Sequence, residues 1–382
     1  MEPTGATSRP RDVSDRGPVT PQEAERLRER ARFVRLETIR LFSIARVGHY
    51  SSVFSCAEIF STLYYDTMNI RRGEPGWSGR DRFLMGKGHA AVGQFPVLAD
   101  LDFFDKAWLD DYTRLGSTLS DHPDMRKVPG VDFSSGSIGH ALSNGVGMAL
   151  GARFREQDFD VFVLLGDGEM QEGQVWEAAL SAATHRLGRL VAIVDRNGYQ
   201  LDGSVDDIAA VEPLADKWRA FGWELHEVDG HDVVALANLL RRIKADRMRS
   251  QPCCIIARTV KDKGIDYMET EPGWHLGYLA PEDERGENLA GDPDRGRAQR
   301  AWRPGRRGCG NAGGRGRRGA SGPSRHQGRI QSHRPADPSL SPLQARREGH
   351  RGNSALAACL KRRAGPTHAH ATKLYLVESS PR

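Results

Sequence analysis

Four short strand-like runs in the middle of the chain constrain its fold more than any other feature. A largely apolar run that ends in Gly or Asp is typical of a strand buried on both faces of a parallel sheet. Helical segments are predicted between the runs, over Glu177 to Leu187 and Val233 to Met248. Alternating strands and helices predict an α/β fold, a doubly wound and mostly parallel sheet with helices on both faces. The runs are VFVLLG (161–166), LVAIVD (190–195), WELHEVDG (223–230) and CCIIARTV (253–260).

Helical patterns also lie before these strands. Apolar residues recur with helical spacing from Pro21 to Ile44, and a second helix is predicted over Ser55 to Thr67, followed by a loop at 71–79. The helix predicted after Gly139 is rich in Gly, Ala and Ser. Because Gly costs about 1 kcal/mol relative to Ala in a helix interior, this composition predicts close packing against another helix or a cofactor.

The net charge of +5 comes from the end of the chain. Residues 291–382 contain 20 Lys and Arg against 5 Asp and Glu, whereas residues 1–290 contain 35 against 45. The N-terminus has no apolar stretch typical of a secretory signal, and no run is long enough to span a membrane. The five cysteines form no pattern of a disulfide framework or zinc site. We expect a cytoplasmic protein with an acidic body and no membrane partner.

Three regions are predicted: a disordered arm at 1–20, a folded domain at 21–288 and a disordered tail at 289–382. Residues 291–350 contain 14 Arg, 12 Gly, 6 Pro and no Lys, a composition that cannot bury enough apolar surface to fold. The tail is a nucleic-acid-binding segment, an inert appendage or an out-of-frame translation of GC-rich DNA. Trp302 is the only Phe, Trp or Tyr between 291 and 374, so a nucleic-acid partner is the least favoured interpretation.

Polar residues that suit a metal and a phosphate follow two of the predicted strands. Gly166-Asp167-Gly168 ends the first strand, and Asn197 follows the next strand, 29 positions after Gly168. Carboxyl ends of parallel strands open into the crevice where α/β sheets bind ligands. Glycines let the backbone approach a diphosphate, while carboxylate and amide oxygens suit Mg²⁺ or Ca²⁺. A site for a metal and a diphosphate is predicted at this edge.

The segment GDGEMQEGQVWEAALSAATHRLGRLVAIVDRNGYQLDG (166–203) resembles the thiamine diphosphate motif of transketolases. The resemblance covers residues 22–284, which correspond to the N-terminal, diphosphate-binding section or subunit of that family. Further segments agree in order: RVGHYSSVFSCAEI (46–59), DRFLMGKGHAA (81–91), SDHPDM (120–125), SSGSIGHALSNGVGMA (134–149) and PGWHLGYLAPED (272–283).

The resemblance implies the cofactors thiamine diphosphate and Mg²⁺ or Ca²⁺, and it implies a role for each matching residue. The metal ligands would be Asp167, Asn197 and the backbone carbonyl of Tyr199. The residues in contact with the cofactor would be His89, Gly136, Ser137, Ile138, Gly168, Glu172, Asn197 and His275, with Glu172 forming an acidic contact at a subunit interface. His49, His122 and His275 would line the substrate funnel and handle protons at the sugar.

Three residues depart from the family pattern at these motifs. Tyr50 follows His49 where the family has proline, and His140 stands where transketolases commonly have Gln. Arg196 precedes Asn197 at a position that often carries Asn, Asp or Tyr. Metal and diphosphate binding are expected to survive all three changes. The other histidines of the domain, His185, His226 and His231, carry no family role and are predicted to be structural or exposed.

The part of a transketolase that activates the cofactor is not recognisable. In the family, the activating glutamate and the arginines that grip the sugar phosphate belong to a following pyrimidine-binding domain, and no strand–helix pattern follows residue 290. The resemblance therefore implies the N-terminal subunit of a split or truncated transketolase. With a C-terminal partner subunit, in a dimer or heterotetramer, it would transfer a two-carbon ketol unit from a ketose or ketose phosphate to an aldose. Alone it would be inactive.

Two alternatives stay open from the sequence. The chain could serve another thiamine diphosphate reaction, such as 1-deoxyxylulose-phosphate synthesis or 2-oxoacid decarboxylation, although the segments around His122 and His275 favour a transketolase. It could also be a non-catalytic scaffold or nucleic-acid-binding protein with a decayed cofactor site.

Overall fold

The computed structural model describes residues 16–269, 272–275 and 277. The tail predicted at 289–382 lies outside this part of the chain, as do residues 1–15 of the predicted N-terminal arm. Seven strands are described: β1 (Arg82–Met85), β2 (Val161–Gly166), β3 (Leu190–Arg196), β4 (Tyr199–Gln200), β5 (Gly203–Ser204), β6 (Glu224–Asp229) and β7 (Cys253–Arg258). The α-helices are α1 (Pro21–Ala45), α2 (Tyr50–Phe54), α3 (Ala57–Thr62), α4 (Ala91–Asp100), α5 (Ala141–Phe154), α6 (Gly173–Thr184), α7 (Val205–Ala209), α8 (Leu214–Ala220) and α9 (Val233–Ala245).

Five of the strands form one parallel sheet in the order β1-β2-β3-β7-β6. Alternate side chains of β2 enter different apolar clusters. Phe162 and Leu164 pack with residues of α1 to α4 and α9, while Val163 and Leu165 pack with residues of α5, α6 and α8. Because both faces are covered, β2 is apolar at nearly every position. The predicted doubly wound α/β fold is confirmed.

The start of α1 follows from three neighbouring residues. Thr20 is the N-cap, and its hydroxyl accepts a hydrogen bond from the backbone N–H of Glu23. The Glu23 carboxylate in turn accepts from the backbone N–H of Thr20 at 2.9 Å, which completes a capping box. Pro21 occupies the first helical position, where its missing N–H has no cost. The predicted start of the helix at Pro21 is confirmed.

Several predicted boundaries were wrong, and several elements were missed, among them α7, α8, β4 and β5. The helix predicted over Ser55 to Thr67 begins at Ala57 as α3 and continues from Leu63 to Thr67 as a π-helix. α6 begins at Gly173, before the predicted start, and α9 ends at Ala245. The sequence did not predict β1, which has only four residues, nor α2. It also missed α4, which contains Pro96, a residue that normally counts against a helix interior.

The sheet brings several loops to one edge. β1, β2, β3 and β7 run in the same direction, so the segments that follow Met85, Gly166, Arg196 and Arg258 all leave from their carboxyl ends. Backbone hydrogen bonds continue past the strands, from Gly86 N–H to Leu164 O at 2.7 Å and from Thr259 N–H to Arg196 O at 3.1 Å. This is the edge at which the sequence predicts the cofactor site. Within the described residues, the longest helices are too polar or too short to cross a membrane.

Candidate functional site

Asp167 directly follows β2 and is buried. Its Oδ1 accepts a hydrogen bond from the backbone N–H of Gly168 at 2.9 Å, and its Oδ2 accepts from the backbone N–H of Gly198 at 2.6 Å. Burial raises the pKa of this carboxyl, while the Arg196 guanidinium and the Gly198 N–H oppose the rise. These contacts join the loop after β2 to the loop after β3, so the sequence-predicted neighbours Asp167 and Asn197 do lie on adjacent loops.

Asn197 directly follows β3, and Tyr199, two residues later, begins the short strand β4. The side-chain Oδ1 of Asn197 accepts a hydrogen bond from the backbone N–H of Tyr199 at 3.0 Å, which fixes the orientation of the amide. A Cβ placed on Gly168 would lie 3.1 Å from Cβ of Gln200. A side chain at Gly168 would therefore crowd Gln200, which directly follows Tyr199. Carboxylate, amide and carbonyl oxygens are thus available within one pair of adjoining loops, and the metal-binding role of Asp167, Asn197 and Tyr199 stays a prediction.

A buried ion pair, which the sequence did not predict, underlies these loops. Lys87 lies in the loop after β1, and its ammonium pairs with Oδ2 of Asp195 in β3, with side-chain exposures of 5% and 0%. Ser55 Oγ donates to the same Oδ2 at 2.6 Å, and Thr259 Oγ1 donates to Oδ1. Burial alone would lower the pKa of Lys87, but the Asp195 carboxylate raises it. The pair therefore connects the loop that carries His89 to β3, the strand that Asn197 follows.

Glu169 is a second buried residue that the sequence did not single out. Its Oε1 accepts from the backbone N–H of Gly139 at 2.7 Å, and its Oε2 accepts from that of Gly166 at 3.1 Å. Burial raises the pKa of Glu169 to about 7, against the effect of both backbone donors. A Cβ on Gly86 would lie 2.3 Å from Oε2 of Glu169. The absence of a side chain at Gly86 thus leaves room for this carboxylate, which connects Gly139 to the end of β2.

The loop at 134–139 packs on the loop that carries His89. A Cβ on Gly88 would lie 2.6 Å from Ser135 Oγ and 3.1 Å from the backbone N of Gly136. Gly136 and Ser137 are exposed, and Ile138 is half-buried. Ser135 Oγ is buried and has no hydrogen-bond partner among the residues that the structure describes. The predicted cofactor-lining residues therefore border an unpaired hydroxyl, and their contact with a cofactor stays a prediction.

Three of the four predicted histidines meet in one cluster. The ring centroids of His49 and His89 are 5.3 Å apart, those of His49 and His275 are 5.6 Å apart, and those of His89 and His275 are 5.4 Å apart. A backbone bridge between Gly48 and Gly277 fixes the neighbouring segments, with N–H to O distances of 2.9 and 3.0 Å. The structure thus brings together residues separated by more than 200 positions in the sequence.

The clustered imidazoles are held neutral. Burial lowers the pKa of His89 well below its usual value, with Lys87 and the other histidines adding to the effect. Burial also lowers the pKa of His275 to about 4, assisted by His49. For His49, burial lowers the pKa against the opposing charge of Asp121. Neutral imidazoles can both donate and accept a hydrogen bond, so each ring can bind a hydroxyl or a carbonyl group.

His122 lies at the rim of the cluster. Asp121 connects it with His49, because Asp121 Oδ2 lies 3.4 Å from His122 Nδ1 and 3.9 Å from His49 Nδ1. A Cβ on Gly136 would lie 3.9 Å from Cδ2 of His122, so His122 also borders the 134–139 loop. All four predicted histidines therefore occupy one region, and their catalytic roles stay predictions.

Tyr50, one of the three departures from the family pattern, belongs to the core rather than the cluster. Its side chain is buried and packs edge-to-face on Phe42, with centroids 4.8 Å apart. A Cβ on Gly48 would lie 2.1 Å from the Phe42 ring. Phe42 therefore requires glycine at Gly48, while Tyr50 begins α2 and leaves His49 at the helix N-cap.

Glu172 is exposed at the N-cap of α6. A Cβ on Gly139 would lie 2.8 Å from Cβ of Glu172, and Gly139 also has a φ of 89°, so Glu172 packs against the loop that Glu169 anchors. Its predicted contact at an interface between subunits stays a prediction.

The histidines without a family role make local contacts. His231 Nδ1 lies 3.0 Å from Glu58 Oε2, and its Nε2 accepts from the backbone N–H of Val260 at 2.8 Å. His226 Nε2 lies 2.7 Å from Glu224 Oε1 on β6, beside the buried Cys253. His185 is exposed at the end of α6.

The residues present fit a diphosphate cofactor and a hard divalent ion. The unpaired Ser135 hydroxyl can donate a hydrogen bond to a phosphate oxygen. A side chain at Gly88 would collide with this hydroxyl, so glycine at this position keeps it accessible. The carboxylate of Asp167, the amide of Asn197 and the carbonyl of Tyr199 provide the oxygen donors that Mg²⁺ and Ca²⁺ prefer.

Comparison with known proteins identifies the family. Residues 27–284 match the family described as "Transketolase, thiamine diphosphate binding domain", and the chain belongs to this family. It is 37% identical over 238 residues to one subunit of the apulose-4-phosphate transketolase of Phocaeicola vulgatus, covering 62% of this chain and 84% of that protein. It is 36% identical over 256 residues to a 6-deoxy-6-sulfo-D-fructose transketolase subunit of a Clostridium species, covering 67% and 92%.

Longer transketolases share only part of their length with this chain. The crystal structure of transketolase from Campylobacter jejuni superposes with a TM-score of 0.63 at 28% identity, covering 68% of this chain and 41% of that one. Human transketolase is 35% identical over 255 residues, which are 66% of this chain and 40% of that protein. The chain thus spans about two fifths of a full-length transketolase and most of the length of the subunits.

Proposed function

We propose that this chain is the N-terminal, cofactor-binding subunit of a two-subunit transketolase, with residues 21–288 as the binding domain. Together with a C-terminal subunit that supplies a pyrimidine-binding domain, it would transfer a two-carbon ketol unit from a ketose or ketose phosphate to an aldose. The observation that carries the proposal is the hydrogen bond from Gly198 N–H to Asp167. It places Asp167 next to the loop of Asn197, and a cluster of neutral histidines lies in the same chain. The relatives that match over most of their length, and that are called transketolase subunits, support it.

Asp167, Asn197 and the carbonyl of Tyr199 would hold Mg²⁺ or Ca²⁺, and Gly168, His89 and Ser135 would contact the diphosphate. Thiamine diphosphate supplies a thiazolium carbon that attacks a carbonyl and stores the resulting carbanion. The chain's own residues would bind and orient this group. The buried Lys87–Asp195 pair fixes the loop that carries His89, and Glu169 fixes the loops at Gly139 and Gly166.

The histidines would handle protons on the substrate. Their lowered pKa values keep His49 and His275 neutral at pH 7, so each ring can accept a proton from a sugar hydroxyl at one nitrogen or donate one to a carbonyl oxygen. His49 Nδ1 is buried without a hydrogen-bond partner among the described residues, which leaves it available for a substrate hydroxyl. Asp121 lies between His49 and His122 and can stabilise either ring when it is transiently protonated.

The binding half of the proposal is tested with the Asp167→Asn variant. We expect Mg²⁺-dependent binding of thiamine diphosphate, measured by calorimetry, to weaken by more than about 100-fold, because losing groups that merely orient metal ligands already costs about 10–100-fold. Glu227→Gln, which removes a carboxylate paired with Arg258 at the surface, serves as the control. Unchanged affinity in Asp167→Asn would reject the metal assignment.

The need for a partner is tested separately. The purified chain, loaded with thiamine diphosphate and Mg²⁺, is assayed with a ketose phosphate donor and an aldehyde acceptor, alone and with a candidate C-terminal subunit. We expect ketol transfer only in the mixture. Turnover by the chain alone, above a metal-free control, contradicts the division of the active site between two subunits.

A further inference from the structure

The guanidinium of Arg196, the last residue of β3, lies on the carboxylate of Asp167. Arg196 Nη1 is 2.8 Å from Asp167 Oδ2, and the two side chains are 11% and 2% exposed. Arginine at this position departs from the Asn, Asp or Tyr that the resemblance leads one to expect. A fixed cation therefore stands beside the carboxylate proposed to bind a divalent cation.

The hydrogen bonds of Asp167 leave one of its oxygens less occupied than the other. Oδ2 accepts from both Gly198 N–H, at 2.6 Å, and Arg196 Nη1, at 2.8 Å, whereas Oδ1 accepts only from Gly168 N–H, at 2.9 Å, among the described residues. A carboxylate has about four lone-pair positions, two on each oxygen. Since Oδ2 is filled, a metal ion can reach Asp167 only through the remaining position on Oδ1.

Acidic residues hold the other side of the same guanidinium. Arg196 Nε and Nη2 each lie 3.1 Å from Glu212 Oε1, and Nη2 lies 3.5 Å from Asp206 Oδ1. The second oxygen of Glu212 accepts from the backbone N–H of Leu214 at 2.7 Å, which fixes this carboxylate. Glu212 thus draws Arg196 away from Asp167 and neutralises part of its charge.

We propose that Arg196 attenuates the metal affinity of the Asp167 site, and that Glu212 sets the strength of this attenuation although neither residue is a ligand. Arg196 closes Oδ2 to the metal and repels a dication, and its repulsion is reduced while Glu212 holds the guanidinium. Without Glu212, the guanidinium would carry more uncompensated charge and could turn both donors toward Asp167. This inference rests on the metal site proposed above.

The test compares Mn²⁺ binding to the full chain with thiamine diphosphate present, by following the electron paramagnetic resonance signal of free Mn²⁺. Arg196→Gln is expected to tighten Mn²⁺ binding by about tenfold, as removal of a nearby like charge in a partly buried site should do. Glu212→Gln is expected to weaken it by about tenfold. In Arg196→Gln/Glu212→Gln, the second substitution is expected to change affinity by less than about twofold, because its effect passes through Arg196.

Controls separate this effect from damage to the fold and from a general loss of negative charge. A misfolded site would bind Mn²⁺ more weakly, so the tightening expected for Arg196→Gln cannot come from structural damage. Glu25→Gln removes a surface carboxylate of α1 that is paired with Arg28, and is expected to leave Mn²⁺ affinity unchanged.

Two results would overturn the inference alone: weaker Mn²⁺ binding in Arg196→Gln, or an equal effect of Glu212→Gln with and without Arg196. In both cases the wild-type chain still binds Mn²⁺ and Asp167→Asn still loses it, so the proposed metal site survives. If the wild-type chain does not bind Mn²⁺ with the cofactor, or if Asp167→Asn binds it as well, the metal site and the inference both fall.

Discussion

Replacing Asp195 with Asn tests whether the buried ion pair beneath the site holds its loops in place. The change keeps the size of the side chain and removes its charge, leaving the Lys87 ammonium buried without a counter-charge. Removing one partner of a buried pair costs about 3–5 kcal/mol, because the remaining charge stays desolvated. Domains are stable by only about 5–15 kcal/mol, so Asp195→Asn should remove roughly a fifth or more of the free energy of unfolding.

The loss should depend on pH in a defined direction. With Asp195 uncharged, burial would place the pKa of Lys87 in the folded chain below its value of about 10.4 in the unfolded chain. Between these two values the unfolded chain binds more protons, so the stability of the variant rises with pH. The deficit of Asp195→Asn relative to wild type should therefore shrink between pH 7 and pH 9.5.

Urea unfolding of the full chain, followed by tryptophan fluorescence at several pH values, measures both effects. The double variant Lys87→Met/Asp195→Asn should be more stable than Asp195→Asn by at least about 2 kcal/mol and should lose the pH dependence, since no buried charge remains. Glu227→Gln, which breaks an exposed pair with Arg258, should cost less than about 1 kcal/mol. A loss in Asp195→Asn no larger than that of Glu227→Gln, or strict additivity in the double variant, would refute the reasoning.

Two further predictions concern polar groups of the site. Ser135→Ala should leave the free energy of unfolding unchanged or raise it by up to about 1 kcal/mol, because the lost hydroxyl is buried and unpaired among the described residues. Calorimetry should nevertheless show weaker binding of thiamine diphosphate. A clear loss of stability in this variant would contradict the prediction. His275 has a pKa of about 4, mainly through burial, so the folded chain disfavours its protonation and the stability due to the neutral ring is lost as pH falls from about 6.5 toward 4. Between pH 7 and pH 5.5 the free energy of unfolding of His275→Asn should therefore fall less than that of the wild type. The difference should be up to about 1 kcal/mol after allowance for solvent screening. Parallel pH profiles of the two proteins would contradict this prediction.

The sequence predicted those elements whose pattern lies within a single segment of the chain. The capping box of Thr20 and Glu23 marks the start of α1, and the unbroken apolar run of β2 reports burial on both faces. β1 has four residues and follows a polar segment that includes the buried Arg80 and Asp81, so its pattern is too short to recognise. α4 was missed because Pro96 counts against a helix interior, whereas the packing of α4 against α1 and α3 is visible only in the fold.

The glycine-rich α5 shows the limit of composition as a guide. Close packing explains Gly145, where a Cβ would lie 2.7 Å from Cγ2 of Val163. At Gly147 and Gly151, however, nothing lies within 4 Å of an added Cβ among the described residues. Val163 belongs to β2, so α5 packs closely on the sheet at Gly145 rather than on the helix or cofactor that the sequence predicted. The contacts of this single chain give no reason for the other two glycines.

Within the site, the sequence identified residues that would touch a ligand and missed those that hold them. Motifs mark ligand-binding residues because the chemistry of the ligand restricts their type, as with Asp167 and Asn197. Supporting pairs join residues that are close only in the fold: Lys87 and Asp195 are 108 positions apart, and their contact depends on β1 and β3 flanking β2. No pattern within one segment can report such a pair.

The unpaired polar atoms of the site suggest why its stability and its function oppose each other. Ser135 Oγ and His49 Nδ1 are buried without hydrogen-bond partners among the described residues, and each such group costs about 1–3 kcal/mol. A structure selected for stability alone would pair or remove these atoms. A ligand that binds only the folded chain and pairs them recovers this cost and stabilises the fold by mass action. The same residues that weaken the free chain would therefore strengthen the binding of a diphosphate cofactor and a hydroxylated substrate.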